Sequence, residues 1–170
     1  SKVSQVAQLC FQCALFDALL GIGGEHFDFS HAAFLGHSLG EIAAFVCSGV
    51  LDFEEAIRFV AGRGAAVDDL SSSSMIAVSL ASSEVTKLLA ETPIACVAVE
   101  NSPKACVVAV IDASKVEDVK ALIRRQHENA VMTELSVPAG YHSAAIDAAL
   151  PAIGVAARAF STQRQSTSHI

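Results

Sequence analysis

A serine between two glycines is the residue of this chain most clearly arranged for chemistry. Residues 36–41 read Gly-His-Ser-Leu-Gly-Glu, between the apolar runs 32–35 and 42–47. Gly-x-Ser-x-Gly between a strand and a helix predicts a nucleophile elbow, a tight turn that presents the serine hydroxyl at the helix N-terminus. Glycines suit this turn because strand and helix come close together there. The pattern predicts that Ser38 takes up an acyl group. The alternative is a glycine-bounded turn with an ordinary exposed serine.

The elements around Ser38 follow from hydrophobic spacing and turn residues. Apolar residues at three- and four-residue steps predict a helix over 3–20, ended by the glycines at 21, 23 and 24. A short buried strand is expected over 34–36, and a helix from the turn to Cys47. Asp52 and Glu55 form a capping-box-like start for a further helix over 53–67.

The hydrophobic rhythm changes after the serine run 71–74. The predicted elements are strand 75–80, helix 84–90, strands 95–99 and 105–111, a helix from a Ser114–Glu117 capping box to about residue 126, and strand 131–137. The order βαββαβ is that of a split-βαβ, ferredoxin-like unit. We therefore divide the chain into part of an α/β core (1–72), a small ferredoxin-like subdomain (73–137), and a return segment with a C-terminal helix and tail (138–170).

Composition limits the classes of function. The formal charge of −7 without a basic block argues against nucleic acid as a partner. Residues 5–22 come closest to a membrane span, but three glutamines and Asp17 interrupt them, so no span is predicted. The five cysteines are scattered through apolar runs, which predicts reduced, core-packed thiols in the cytoplasm or an organelle interior. Hydrophobic residues make up 52% of the chain, so some apolar surface is expected to face a partner unless the fold buries it.

The ordered set of motifs resembles the malonyl-CoA:acyl carrier protein transacylases, which include the acyltransferase domains of fatty acid and polyketide synthases. The resemblance runs from about residue 8 to residue 150. It rests on the motifs Gly36–Glu41, Ser48–Ala56, Arg63-Gly64, Met75, Asn101-Ser102-Pro103 and Val137–Ser143. It implies an α/β-hydrolase-like acyltransferase core with the ferredoxin-like insert, present here in part.

The resemblance also implies roles for single residues. Ser38 would form the acyl ester, and His142 would be its general base. Arg63 would pair with the free carboxylate of a malonyl group, and the backbone N–H of Leu39 would donate to the oxyanion. The substrate-binding residues would be His37, Asn101 and Tyr141. Simpler alternatives stay open: a surface or packing role for His142, a snorkelling or capping Arg63, and a turn-stabilising Asn101.

The resemblance implies acyl-CoA as donor, the phosphopantetheine thiol of an acyl carrier protein as acceptor, and neither metal nor resident cofactor. The family's Gly-Gln-Gly-type motif, whose glutamine is a second oxyanion donor, has no counterpart here, and neither do its last strands and helices. Because the chain opens at Ser1 without Met, we expect processing or excision from something longer. Two other hypotheses remain: an acyltransferase-like structural or docking subunit of a larger complex, and a serine hydrolase. Arg63 argues against the hydrolase, since a fatty ester needs no buried cation.

Overall fold

The chain folds as two compact units. The computed structural model describes residues 2–23, 31–68, 70 and 72–158. Unit 1 consists of residues 1–65 and 151–170, and unit 2 of residues 66–150. The predicted tail lies outside the described residues from position 159 onward. The three-part division drawn from the sequence stays a prediction. That division follows composition and predicted elements, whereas the two units are defined by compactness.

Helices form the regular structure of unit 1. They are α1 (Lys2–Gly23), α2 (Leu39–Cys47), α3 (Phe53–Asp68, which runs into unit 2) and α6 (Leu150–Ala157). The predicted start of α3 is confirmed: the Glu55 N–H donates to Asp52 Oδ1 at 3.0 Å. Helix α1 is longer than predicted, because it continues through Gly21 and ends at Gly23. Gly24 lies outside the described residues.

The core of unit 1 is small. Helix α1 contributes Leu9 and Cys13, which lie in one buried cluster with the following residues of α2, α3 and the turn between them: Ala43, Leu51, Ala56 and Val60. By length and composition alone, α1 is also the one described helix that could cross a membrane. A core helix passes the same test, and Leu9 is fully buried against protein. The absence of a membrane span therefore stays a prediction.

The predicted strand over residues 34–36 is wrong. Residues 32–37 have no regular secondary structure, and the described part of unit 1 contains no strand with which they could pair. A strand is defined by its backbone hydrogen bonds to a neighbour, so an apolar run alone does not make one. Phe34 is nevertheless held in place, because its ring packs edge-on against Phe16 of α1 at a centroid distance of 5.4 Å.

Unit 2 is a four-stranded sheet with two helices. Its strands are β1 (Ser74–Val78), β2 (Ala95–Ser102), β3 (Ala105–Val110) and β4 (Met132–Glu134), in the spatial order β2-β3-β1-β4. All neighbouring strands are antiparallel. Helices α4 (Ser82–Leu89) and α5 (Val116–Arg124) follow β1 and β3. The predicted succession of strand, helix, strand, strand, helix and strand is confirmed.

The sheet and its helices share a buried apolar cluster. Its fully buried members include Ile76, Val85, Val108 and Ile123, which come from two strands and both helices. The predicted capping box at Ser114 is wrong. Asp112 caps a short 3₁₀ turn (Ala113–Lys115) that precedes α5, and its carboxylate accepts a hydrogen bond from the Ser114 N–H.

Candidate active site

Ser38 occupies a strained turn at the start of α2. Its backbone angles are φ 54° and ψ −117°, and it is one of only two non-glycine residues with positive φ in the described part of the chain. Such angles cost an L-residue energy and are concentrated at functional sites. The turn is closed by hydrogen bonds from the Gly40 N–H to the His37 carbonyl (2.9 Å) and from the Glu41 N–H to the Ser38 carbonyl (3.1 Å). This is the strained turn that the motif predicts.

The two glycines of the motif have different roles. A Cβ on Gly36 would overlap the backbone of Gly40 and Glu41, so only glycine fits at position 36. A Cβ on Gly40 would point into open space. The expectation of close approach is confirmed for Gly36 and wrong for Gly40, because Gly40 already belongs to the first turn of α2.

A cleft of about 720 Å³ opens beside Ser38. Helix α1 forms one wall and the start of α2 forms the other. The cleft is lined by Ser4, Ala7, Gln8, Phe11, Gln12, His37, Ser38, Leu39 and Gly40. Leu39 is the first residue of α2, and the first four N–H groups of a helix lack partners within the helix. The Leu39 N–H thus has no acceptor within α2, and its role as an oxyanion donor stays a prediction.

Arg63 on α3 is held by a residue that the sequence reasoning missed. Its Nη1 donates to Oε1 of Gln5 on α1 at 3.2 Å, and Gln5 is buried. Helices α1 and α3 come close here, because a Cβ on Gly64 would lie 2.6 Å from the Cα of Lys2. Arg63 is not among the residues that line the cleft, but Ser4, the neighbour of Gln5, is. A glutamine in an apolar helical stripe was the only sequence signal for this contact.

His142 lies in a second strained turn, in unit 2. Its φ is 59°, its side chain is exposed, and it precedes a 3₁₀ helix over Ala144–Ala149. The turn is tight, with the Tyr141 N–H donating to the Ala139 carbonyl at 3.0 Å. Tyr141 is half-buried beside the exposed histidine.

Asn101 lies within β2 rather than in the turn that follows it. The pairing of β2 with β3 is irregular between Glu100 and Ser102, so Asn101 occupies a bulge. The turn itself consists of Pro103 and Lys104. A bulge can redirect a side chain, which leaves both the binding role and the structural role of Asn101 open.

The seven predicted site residues divide between the two units. Unit 1 carries Ser38, His37, Leu39 and Arg63, with the first three brought together at one turn. Unit 2 carries Asn101, Tyr141 and His142. The pairing of Ser38 with His142 stays a prediction, as do the roles of the other five.

Two of the five cysteines, Cys13 and Cys106, are buried as predicted, and the other three are half-buried. Burial, together with the neighbouring Cys47 thiol, raises the pKa of Cys13 from 9.0 to about 11, and burial raises the pKa of Cys96 and Cys106. A raised pKa keeps a thiol protonated and unreactive. Within the described residues, no three His, Cys, Asp or Glu side chains are grouped so that they could hold a metal ion.

Comparison with known sequences identifies relatives of this chain. The profile of the family described as acyl transferase domain matches residues 1–169. The highly reducing polyketide synthase ALT1 of Alternaria alternata is 34% identical over 145 residues, which cover 84% of this chain and 5% of that synthase. Orsellinic acid synthase ArmB of Armillaria ostoyae is 38% identical over 139 residues, covering 74% of this chain and 6% of that synthase. The chain thus spans about a twentieth of the length of these relatives.

Solved structures agree with the sequence relatives. The acyltransferase domain from the second module of the salinomycin polyketide synthase superposes with a TM-score of 0.79 at 27% identity, covering 96% of this chain and 37% of that one. The malonyl CoA-acyl carrier protein transacylase of Coxiella burnetii superposes with a TM-score of 0.81, covering 96% of this chain and 52% of that one. Its 23% identity makes it evidence for the α/β fold alone.

Proposed function

Because the chain belongs to the acyl transferase domain family, we propose that it transfers a malonyl-type acyl group from CoA to the phosphopantetheine thiol of an acyl carrier protein through an ester on Ser38. The observation that carries the proposal is the backbone of Ser38: a positive φ at the first turn of a helix, inside Gly-x-Ser-x-Gly and beside an open cleft. A serine held this way serves nucleophilic attack on an acyl group.

The proposed reaction has two matching halves. Ser38 Oγ attacks the thioester carbonyl while His142 takes its proton, and the Leu39 N–H donates to the resulting oxyanion. The C–S bond then breaks, and CoA leaves as a thiol with the proton from His142. In the second half, His142 takes the proton of the carrier thiol, whose sulfur attacks the ester. The ester C–O bond then breaks, and Ser38 Oγ takes the proton from His142 and is restored as the free hydroxyl.

Arg63 gives the proposed reaction its preference for a carboxylate. A guanidinium can bind both oxygens of a malonyl carboxylate at once, which a lysine cannot do. The bond from Arg63 to buried Gln5 supports this role, because it fixes one edge of the guanidinium to α1, which also walls the Ser38 cleft. We propose that His37, Tyr141 and Asn101 are substrate-binding residues, as the family resemblance implies.

We also propose that residues 73–137 form a ferredoxin-like insertion into the acyltransferase core. The support is the strand order β2-β3-β1-β4, with β3 lying between β1 and β2 and every neighbour antiparallel. This is the arrangement of a split βαβ unit. As part of this proposal, the chain acts with the rest of a synthase, in the cytoplasm or an organelle interior.

A transfer assay tests the preference for a carboxylate. The chain is incubated with malonyl-CoA or acetyl-CoA, and pantetheine serves as the acceptor thiol. We expect Arg63→Ala to lower malonyl transfer at least tenfold and to leave acetyl transfer unchanged or raised. Arg58→Ala is the matched control, because Arg58 lies on the same helix in an exposed pair with Glu54. An equal loss with both donors would contradict the role of Arg63.

A structural or docking subunit is the second candidate, favoured by the apolar surface of unit 1. Phe11, Leu35 and Ile22 are 70%, 94% and 82% exposed. Docking of unit 1 on a partner would cover large apolar side chains such as these. If a folded chain stays unreactive toward malonyl-CoA and does not transfer acyl groups to pantetheine, this second function replaces the first.

A further inference from the structure

We propose that Ser73 is a positioning residue for His142. Its buried hydroxyl holds Gly140, two residues before the histidine, and so fixes the turn that presents the imidazole. The inference rests on the proposed role of His142 as general base. It concerns contacts within unit 2 only.

A buried hydrogen bond joins the start of β1 to the histidine turn. The Gly140 N–H donates to Ser73 Oγ at 2.7 Å, across 67 residues of sequence. Ser73 is 7% exposed, and Ala139 next to Gly140 is fully buried. Losing the acceptor would leave the Gly140 N–H buried with no partner, which is costly.

The other side of Gly140 is held as well. Ser143 Oγ donates to the Gly140 carbonyl at 2.6 Å and accepts from the Ala145 N–H at 3.2 Å. A Cβ on Gly140 would lie within 3.4 Å of both Ser73 Cβ and Ser143 Oγ, so the three residues are tightly packed. The histidine turn is thus fixed by one serine from a distant segment and one from its own C-terminal side.

The backbone of His142 needs such a restraint. A positive φ in a non-glycine residue persists only where the surrounding structure enforces it. Ser143 moves with the turn, so it cannot anchor the turn to the rest of unit 2. Ser73 can, because the carbonyl of its neighbour Ser72 accepts from the Ala113 N–H at 2.7 Å and β1 begins at Ser74. Without Ser73, we expect the turn to relax and the imidazole to leave its position.

Two neighbouring serines offer a matched pair of variants. Ser74 is 6% exposed, and its hydroxyl donates to Glu134 Oε1 at 3.0 Å, away from the histidine turn. Ser73→Ala and Ser74→Ala each remove one buried hydroxyl from adjacent positions. Ser73→Cys is a further variant, whose slightly larger thiol provides only a weak acceptor.

The experiment combines NMR with kinetics on the full chain. In Ser73→Ala and Ser73→Cys we expect the Gly140 amide to exchange at least tenfold faster and the His142 ring resonances to shift. We expect the rate of Ser38 acylation at saturating malonyl-CoA to fall about tenfold with KM unchanged, because a misplaced base slows proton transfer without weakening substrate binding. Ser74→Ala should match the unmodified chain in all of these.

Two results would overturn the proposal. One is unchanged Gly140 exchange and unchanged His142 resonances in Ser73→Ala and Ser73→Cys. The other is an equal fall in acylation in Ser74→Ala, which would mean a general loss of stability. The NMR result stands even if the unmodified chain does not acylate Ser38. Failure of the proposed function and failure of this inference are therefore distinguishable.

Discussion

The two units bury their apolar residues to different extents. Unit 2 holds seventeen of the twenty-three buried hydrophobic residues among the described positions, and unit 1 holds six. Among the described positions, the exposed large hydrophobic side chains show the reverse, with eleven of thirteen in unit 1. Unit 2 closes a sheet and two helices around one cluster, whereas the helices of unit 1 leave much of α1 uncovered. Among the described residues, unit 1, which carries the candidate nucleophile, thus buries fewer of its apolar side chains than unit 2 does.

The two candidate catalytic residues are also held in place by different kinds of contact. In unit 2, the turn that carries the candidate base is joined to the residue before β1 by the hydrogen bond from the Gly140 N–H to Ser73 Oγ. The candidate nucleophile instead depends on local restraints, namely the packing of Phe34 on Phe16 and the close approach at Gly36. We expect the two units to respond differently to the same kind of damage.

Core truncations should show the largest difference. Ile123→Ala in unit 2 should lower the free energy of unfolding by about 4 kcal/mol, because the sheet and the two helices cannot move inward to fill the cavity. Leu9→Ala in unit 1 should cost about 2.5 kcal/mol, since fewer buried neighbours surround it. Urea unfolding followed by site-resolved hydrogen exchange measures both.

A control on the same helix separates burial from helix propensity. Leu15 on α1 is 51% exposed, so Leu15→Ala should change stability by about 0.5 kcal/mol or less. Equal costs for Leu9→Ala and Ile123→Ala, or equal exchange protection in both units, would break the contrast between them.

Substitutions of the two glycines in the Ser38 turn should have the next largest effect on stability. Gly36→Ala should destabilise unit 1 by about 3 kcal/mol, because the new Cβ overlaps the backbone of the turn. Gly40→Ala should stabilise it by about 0.5 kcal/mol, since alanine favours a helix and meets open space. Thermal unfolding of the two variants provides the measurement. Similar losses in both would show that the turn is not packed as described.

Alkaline pH should lower the stability of unit 1, by less than Gly36→Ala does. The pKa of Cys13 is about 11 in the folded chain against 9.0 ordinarily, because burial and the nearby Cys47 disfavour its thiolate. Above pH 9 the unfolded chain loses this proton first, so stability falls as pH rises from 9 to 11. In Cys13→Ala the fall of the unfolding free energy over this range should be shallower than in the unmodified chain, as pH-dependent urea unfolding would show. An unchanged slope in Cys13→Ala would contradict the account.

The sequence predicted features that depend on local pattern. The amphipathic helices α4 and α5 and the strands of unit 2 appear in the expected order, because alternating and helical spacing coincide there with turn residues. The Ser38 turn also follows from local chemistry, since Gly36 and the helix after it are readable from the sequence. The family was recognisable for the same reason.

Features that depend on distant contacts were not predictable. The run over 34–36 reads as a strand, but the described part of unit 1 provides it with no paired strand. Gln5 reaches Arg63 across 58 residues, and Ser73 reaches Gly140 across 67. A run of serines indicates a boundary, and nothing in its composition shows that one hydroxyl will be buried. The cap at Asp112 in place of Ser114 is a shift of two residues that only the local 3₁₀ geometry decides.

The most direct test of the account is whether malonyl-CoA acylates Ser38. The folded chain is mixed with malonyl-CoA, and intact mass with peptide mapping locates the adduct. We predict one malonyl group on the peptide that contains Ser38, lost in Ser38→Ala and kept in Ser48→Ala, which changes a serine at the other end of α2. A folded chain without an adduct, or an adduct that survives Ser38→Ala, would contradict the account.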